Sequence, residues 1–172
     1  MALKSLLESV YGDTAPDEYR RMFESQYSDR PGTTILKKGM EIHNPKESDH
    51  TGDRKAYLDY PWIKYWQAFT KNNNNKLQCA CCGKNIYVDE NTAECQKEVE
   101  EYNRGKDKKE EQISAEKLKA VGAHLYINGK DASSGYYIVP MCKDHNGKPS
   151  YATMTIADYV TAVEECQASL KK

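Results

Sequence analysis

Two short stretches hold most of the soft metal ligands of this chain. Cys79-Ala80-Cys81-Cys82-Gly83-Lys84 carries two cysteines three positions apart, and Cys142-Lys143-Asp144-His145-Asn146-Gly147 repeats the spacing with a histidine in second place. A tight turn with that spacing points both side chains at one ion. Two such turns supply the four tetrahedral ligands of a structural Zn²⁺ in the Cys₃His set. Gly83 follows the second cysteine, where the backbone N–H groups need room to bend back toward the sulfurs. One structural zinc on Cys79, Cys82, Cys142 and His145 is the expectation. The competing reading is unrelated buried cysteines, which are common, beside a surface histidine; two pairs with ligand spacing argue against that coincidence. Cys81 offers a sulfur inside the first turn, but Cys79/Cys82 has the better spacing and the glycine.

The rest of the chain must position these turns. A length of 172 residues suits one domain, or one domain with an extension. The composition is polar, with 30% charged residues, 38% hydrophobic residues and a mean hydropathy of -0.88. Core material is therefore modest, and a metal would add stability where apolar burial is thin. Tyrosine dominates the aromatics, 13 against 2 Phe and 2 Trp; its ring can pack while its hydroxyl stays wet. A formal net charge of -1 argues against bulk electrostatic attraction to nucleic acid without excluding a local basic patch. Met1 to Val10 is too short and too charged for a signal peptide, and no run reaches membrane-spanning length. The expected home is a reducing cytoplasm, where cysteine pairs more often mean metal than disulfide.

Hydrophobic spacing divides the chain into a helical N-terminal extension, residues 1–70, and a metal-binding unit, 76–172, with a charged insertion over 91–121. In the extension, Leu3, Leu6, Leu7 and Val10 recur at helical spacing. A second helix starts at Thr14-Ala15-Pro16-Asp17, with Thr14 as cap and Tyr19, Met22, Phe23 and Tyr27 as its stripe. Thr33 to Ile42 is β-branched enough for strand, broken at Gly39. His43 to Lys55 reads as a polar loop in which His43 and His50 are solvated. Asp59-Tyr60-Pro61 opens a helix with Trp62, Ile63, Trp66 and Phe69 on one side, a core helix or, alternatively, a stacking platform for bases. Asn72 to Asn75 is a linker.

Beyond the first turn, Asn85 to Val88 reads as a short strand. Asn91-Thr92-Ala93-Glu94 reads as a capping-box start. Glu94 to Lys119 is dense in charge and nearly balanced in sign, which suits a solvated helical hairpin broken near Gly105, with Cys95 beneath it and Gly122 ending its second helix. Ala123 to Asn128 and Gly135 to Met141 read as two strands, with Asn128-Gly129 and Ser134-Gly135 marking the turns. A last helix is expected from Thr155, with Ile156, Tyr159, Val160, Val163 and Leu170 facing the core and Cys166 beside them. The fold class expected is α+β.

The segment Gly122-Ala123-His124-Leu125, followed by Tyr137-Ile138-Val139-Pro140-Met141-Cys142-Lys143-Asp144-His145-Asn146, resembles the zinc-containing branch of the HNH nucleases. That resemblance covers Cys79 to about Asn146, less the insertion. It implies a zinc-stabilised treble-clef, HNH-like ββα core, with one zinc turn before the hairpin and one after it. It also implies that His124 stands where the family places its general base and Asn146 where it places a helix ligand to a catalytic Mg²⁺ or Mn²⁺. Ala123 and Tyr137 depart from the pattern: Ala123 occupies the usual ion-binding Asp or His position and Tyr137 that of an Asn. A hydrolytic ion needs hard oxygen or imidazole ligands, and a lone base without charge neutralisation on the phosphate is a poor catalyst. Asn128, Asp131 or Asp144 could stand in. The other reading of His124 is a satisfied strand histidine.

Three functions fit. The first is a non-catalytic interaction module binding a protein partner, which near-zero charge, missing ion ligands and many tyrosines favour. The second is a metal-dependent nuclease with unusual ligands. The third is a DNA or RNA binder using Lys84, Lys143, Lys148 and the tryptophan helix.

Overall fold

The structure is a computed structural model that describes residues 14–45, 56, 60–127 and 136–165. The expected helix at Leu3 to Val10, and also His50, Asn128, Asp131, Cys166 and Leu170, lie outside the described residues.

Helix α1 runs Pro16–Gln26, with proline in its first turn where a missing N–H costs nothing. Its cap is Ala15, with no side-chain cap bond, rather than Thr14. The Thr14 carbonyl instead accepts the Tyr60 hydroxyl at 2.7 Å. Helix α2 runs Trp62–Thr70 and closes on Lys71 in the left-handed region. Helix α1 packs its aromatic face on α2 and the residues leading into it: Tyr19 stacks on Tyr60 at 3.8 Å, and Phe23 meets Phe69 edge-on at 5.2 Å. Arg20 Nη1 donates to the Ala68 carbonyl at 2.8 Å, tying the pair together. Trp66 is 4% exposed, which makes α2 a core helix and removes this ring as a platform for bases.

Strands β1 (Thr33–Leu36), β2 (Glu41–His43), β5 (Ala120–Ile127), β6 (Tyr137–Cys142), β7 (Met154–Thr155) and β8 (Val160–Glu164) form one curled antiparallel sheet in the order β1-β8-β6-β5-β2-β7. A separate hairpin pairs β3 (Lys76–Gln78) with β4 (Asn85–Tyr87). The described part of residues 1–70 therefore does more than lend helices. It sends β1 to one side of the β5–β6 hairpin and β2 to the other, so it is woven into the sheet that carries the second metal turn. His43, expected in a loop, ends β2 and stacks on Tyr126 at 5.3 Å.

Further expectations are corrected. No helix begins at Thr155: β7 and β8 stand in the described part of that segment. Ile156, Val160 and Val163 are spaced as on a helix, yet Val163 and Val160 pair with Thr33 and Leu36 of β1. The Ile156 N–H meanwhile bonds the Met40 carbonyl at 3.0 Å. Pairing with distant strands overrides local periodicity, and Tyr159, expected in the core, is 69% exposed. Gly122 ends no helix but lies inside β5, where a Cβ would stand 2.7 Å from Trp62 Cβ and press on the α2 backbone. Glycine there lets the start of α2 lie directly on the sheet.

The charged insertion is one helix, α3 (Ala93–Asn103), followed by two 3₁₀ turns, Lys109–Glu111 and Ala115–Leu118, rather than a helical hairpin. Thr92 caps α3, accepting from the Cys95 N–H at 3.4 Å. With Thr92 as cap, Cys95 rather than Glu94 stands at the third helical position, so the reciprocal box does not form. Cys95 is buried as expected, with Tyr87 and Leu118, in a small second core that Val99, Ile113 and Ala115 border. No helix among the described residues is long and apolar enough to cross a membrane.

Candidate metal centre

The first turn is the reversal of the β3–β4 hairpin. The register ends at Gln78↔Asn85. Beyond it the Cys79 N–H donates to the Lys84 carbonyl at 2.9 Å and the Gly83 N–H to the Cys79 carbonyl at 2.8 Å. Gly83 has φ +70°, a conformation open to glycine and strained for most other residues. Ala80 anchors the tip: its N–H donates to the Pro140 carbonyl at 3.0 Å and its carbonyl accepts the Ala157 N–H at 2.8 Å.

The second turn begins where β6 stops. Cys142 is the extended N-cap of a single helical turn, α4 (Lys143–Asn146), which closes with the Gly147 N–H on the Lys143 carbonyl at 2.9 Å. Cys142 is 1% exposed, because β6 is buried along its whole length and delivers it from the core. Outside the turn, Asn44 Nδ2 donates to the carbonyls of His145 (3.1 Å), Asn146 (3.1 Å) and Lys148 (2.7 Å).

The structure brings together all four expected metal ligands. The ligand atoms of Cys79, Cys82, Cys142 and His145 lie within 4.8 Å of one another. His145 Nδ1 is 3.2 Å from Cys142 Sγ and 3.9 Å from Cys79 Sγ. Bonds of about 2.3 Å to sulfur and about 2.0 Å to nitrogen in a tetrahedron imply ligand separations of roughly 3.5–3.8 Å. The observed separations bracket that range, so the residues fit a tetrahedral ion. Cys81 is half-buried and outside this group of four, and the five described cysteines form no disulfide.

The electrostatics point the same way. Thiols of Cys142 and Cys81 hydrogen-bonded to its sulfur hold the Cys79 thiol far below its ordinary range. The Cys142 thiol is pushed up by the same bond to Cys79 and by burial, and burial raises Cys82. Three sulfurs this close cannot all be thiolates unless a cation joins them, and a dication held there would supply that charge.

The remaining site expectations fare differently. His124 lies on β5 opposite Ile138, its Nε2 3.4 Å from Glu165 and its ring edge-on to Trp62 at 4.5 Å. Asn146 is exposed on α4, and its carbonyl accepts from Asn44. Ala123 and Tyr137, at 1% and 9% exposure, are core residues. Asp144, a candidate ion ligand, pairs with Lys84 at 3.5 Å and Lys117 at 3.8 Å, and Lys143 pairs with Glu116 at 2.6 Å. Two of the three lysines proposed for nucleic acid are thus occupied by acids, and the last 3₁₀ turn of the insertion is pinned to the second metal turn.

A second polar cluster joins the insertion to the first metal hairpin. Glu98 of α3 accepts from Asn85 Nδ2 at 2.9 and 3.1 Å and from the Tyr87 hydroxyl, and Lys76 Nζ lies 3.3 Å away. Burial alone would raise the Glu98 carboxyl, but the bonds from Tyr87, Asn85 and Lys76 hold it below its ordinary value. Burial and the Glu98 bond push the Tyr87 phenol up to about 12.

Sequence reasoning missed Asn44 and Pro140 as parts of this centre. An isolated Asn in a polar stretch carries no ligand signal. Pro140 was visible inside a strand pattern, where proline marks an interrupted ladder. Comparison of the chain with family models, with curated proteins and with solved structures finds no match.

Proposed function

We propose that this chain is a zinc-stabilised, treble-clef, HNH-like interaction module of the reducing cytoplasm, one that binds a protein partner and does not catalyse hydrolysis. The donor set selects the metal: three thiolates and an imidazole in tetrahedral reach suit Zn²⁺, and four protein ligands leave no open position for a reacting water. Support for the finger comes from the order of its parts, a metal turn, then the β5–β6 hairpin, then a helical turn carrying the last two ligands. Its helix, α4, is cut to one turn.

The observation that carries the non-catalytic reading is the burial of Ala123. The position beside His124 where a hard ligand would have to stand is packed into the sheet core. His124 itself is held between Trp62 and Glu165, as a satisfied strand histidine would be. A protein partner is favoured over nucleic acid because Lys84 and Lys143 are already paired with acids, while Tyr151 and Tyr159 are turned outward at 86% and 69% exposure.

The test is a nicking assay on plasmid and single-stranded DNA with Mg²⁺ or Mn²⁺, run beside His124→Ala. No cleavage by either protein is expected. Divalent-dependent cleavage by the wild type, lost in His124→Ala with zinc retained, would replace this reading with the nuclease.

A further inference from the structure

We propose that Asn44 is the positioning residue of the metal centre, and that through it residues 41–45 are coupled to zinc binding. The inference rests on the zinc reading of Cys79, Cys82, Cys142 and His145.

His145 is carried on a short helical turn. Its turn, α4, has four residues, too few to be rigid by its own hydrogen bonds. Within the turn the Gly147 and Lys148 N–H groups fold back to Lys143 and His145. The terminal carbonyls of a helix have no intrahelical partner, and here the carbonyls of His145, Asn146 and Lys148 converge on a single group, Nδ2 of Asn44. Two N–H bonds are shared among three oxygens, so the amide acts as a clip on the ligand-bearing turn.

The clip has a fixed base. Asn44 directly follows β2, which is paired on both sides: Ile42↔Ile127 and His43↔Tyr126 with β5, Glu41↔Thr155 and Ile42↔Met154 with β7. Its side chain is one of few buried polar groups among the described residues, at 1% exposure. Asn44 Oδ1 has no hydrogen-bond partner among the described residues. A buried unmet acceptor costs stability, so the site tolerates Oδ1 in order to keep Nδ2 on the three carbonyls. Groups that orient metal ligands from outside the first ring of contacts commonly change metal affinity 10–100-fold. Asn44 does this by bracing the backbone of His145 instead of its ring.

The experiment uses the full chain. Zinc affinity is measured by chelator competition for wild type, Asn44→Ala and Asn44→Asp; the carboxylate keeps the shape, removes both N–H donors and faces three carbonyls. Melting is followed with and without zinc, and Co²⁺-loaded protein reports ligand geometry by its visible absorption. The expected results are a zinc affinity about 10–100-fold weaker in both variants, altered Co²⁺ bands, and a larger melting shift in the zinc-loaded form than in the stripped form. Unchanged affinity and Co²⁺ bands, with equal melting shifts in both forms, would overturn the proposal and leave Asn44 a packing residue. Should the variants not fold, hydrogen exchange on the wild type decides. Amides of 41–44 and 143–148 should lose protection together when zinc is stripped, and protection of 41–44 that ignores zinc removal overturns the coupling. A wild type that takes up no zinc defeats the zinc reading itself; a wild type that binds zinc, with Asn44→Ala binding equally well, defeats this inference alone.

Discussion

Ala80 donates its backbone N–H to the carbonyl of Pro140, and this 3.0 Å bond joins the first metal turn to the strand that delivers the second. Proline makes it available. β8 pairs with β6 at Tyr137↔Glu164 and Ile138↔Val163. Continued by two residues, that register sets Pro140 against Thr161, but proline has no N–H to give, and the pairing stops. The Pro140 carbonyl is then free for Ala80, and the Thr161 carbonyl takes the Trp66 indole N–H at 2.7 Å instead. The strands part around a cleft of about 500 Å³ lined by Trp66, Leu77, Gln78, Pro140, Tyr159 and Thr161, among others.

Trp66→Phe should therefore cost more than a change of ring size. It leaves the Thr161 carbonyl without its indole donor beside a proline that cannot replace it. An unmet buried acceptor costs about 1–3 kcal/mol. Urea denaturation should show a loss of that order while zinc content stays at the wild-type level. A stability equal to wild type would show that Thr161 finds water or another donor.

Gly122→Ala should destabilise through the α2–sheet contact. The added methyl would meet backbone and Cβ of Trp62, neither of which is a flexible chain end. Overpacking of this kind costs about 1–3 kcal/mol, read as a lower melting temperature with the metal ligands intact. Wild-type melting would mean that α2 can lift from the sheet freely.

The insertion should contribute to stability through its small core and Glu98. Leu118→Ala, beside buried Tyr87 and Cys95, should cost about 2–5 kcal/mol. Glu98 adds a pH dependence. Its folded carboxyl is held below the ordinary value, so its contribution is complete above the unfolded pKa of about 4.3 and fades as pH falls through the lowered folded value. Melting of wild type and Glu98→Gln, followed from about pH 6 to pH 3, should differ most at the upper end and converge at the lower. A constant difference across the range would contradict the Glu98 network.

What the sequence revealed follows the range of the interactions. The four candidate metal ligands, α2 and the β3–β4 turn depend on spacing within a few residues, and all were legible there. Cys95 was legible as one of few apolar residues in a densely charged helical segment. β7 and β8 were not, since their identity comes from distant pairing: β7 with Glu41–Ile42 and β8 with Thr33–Leu36, both more than a hundred residues away, and β8 also with Tyr137–Ile138, about twenty-five residues away. Asn44 was not legible either. Its role exists only once β2 sits beside β5 and points it at a turn formed far downstream. Gly122 misled because one residue type serves both helix ends and close packing.

The central claim is that Cys79, Cys82, Cys142 and His145 hold one zinc on which the fold depends, and the most direct measurement is metal content together with melting. Elemental analysis of the purified chain should give about one zinc per molecule, since four ligands close one tetrahedral site. Cys142→Ser should lower that content, and a chelator should lower the wild-type melting temperature, because an ion bound only by the folded site would add its binding energy to folding. Zinc-free protein that melts at the same temperature before and after chelation would contradict the account.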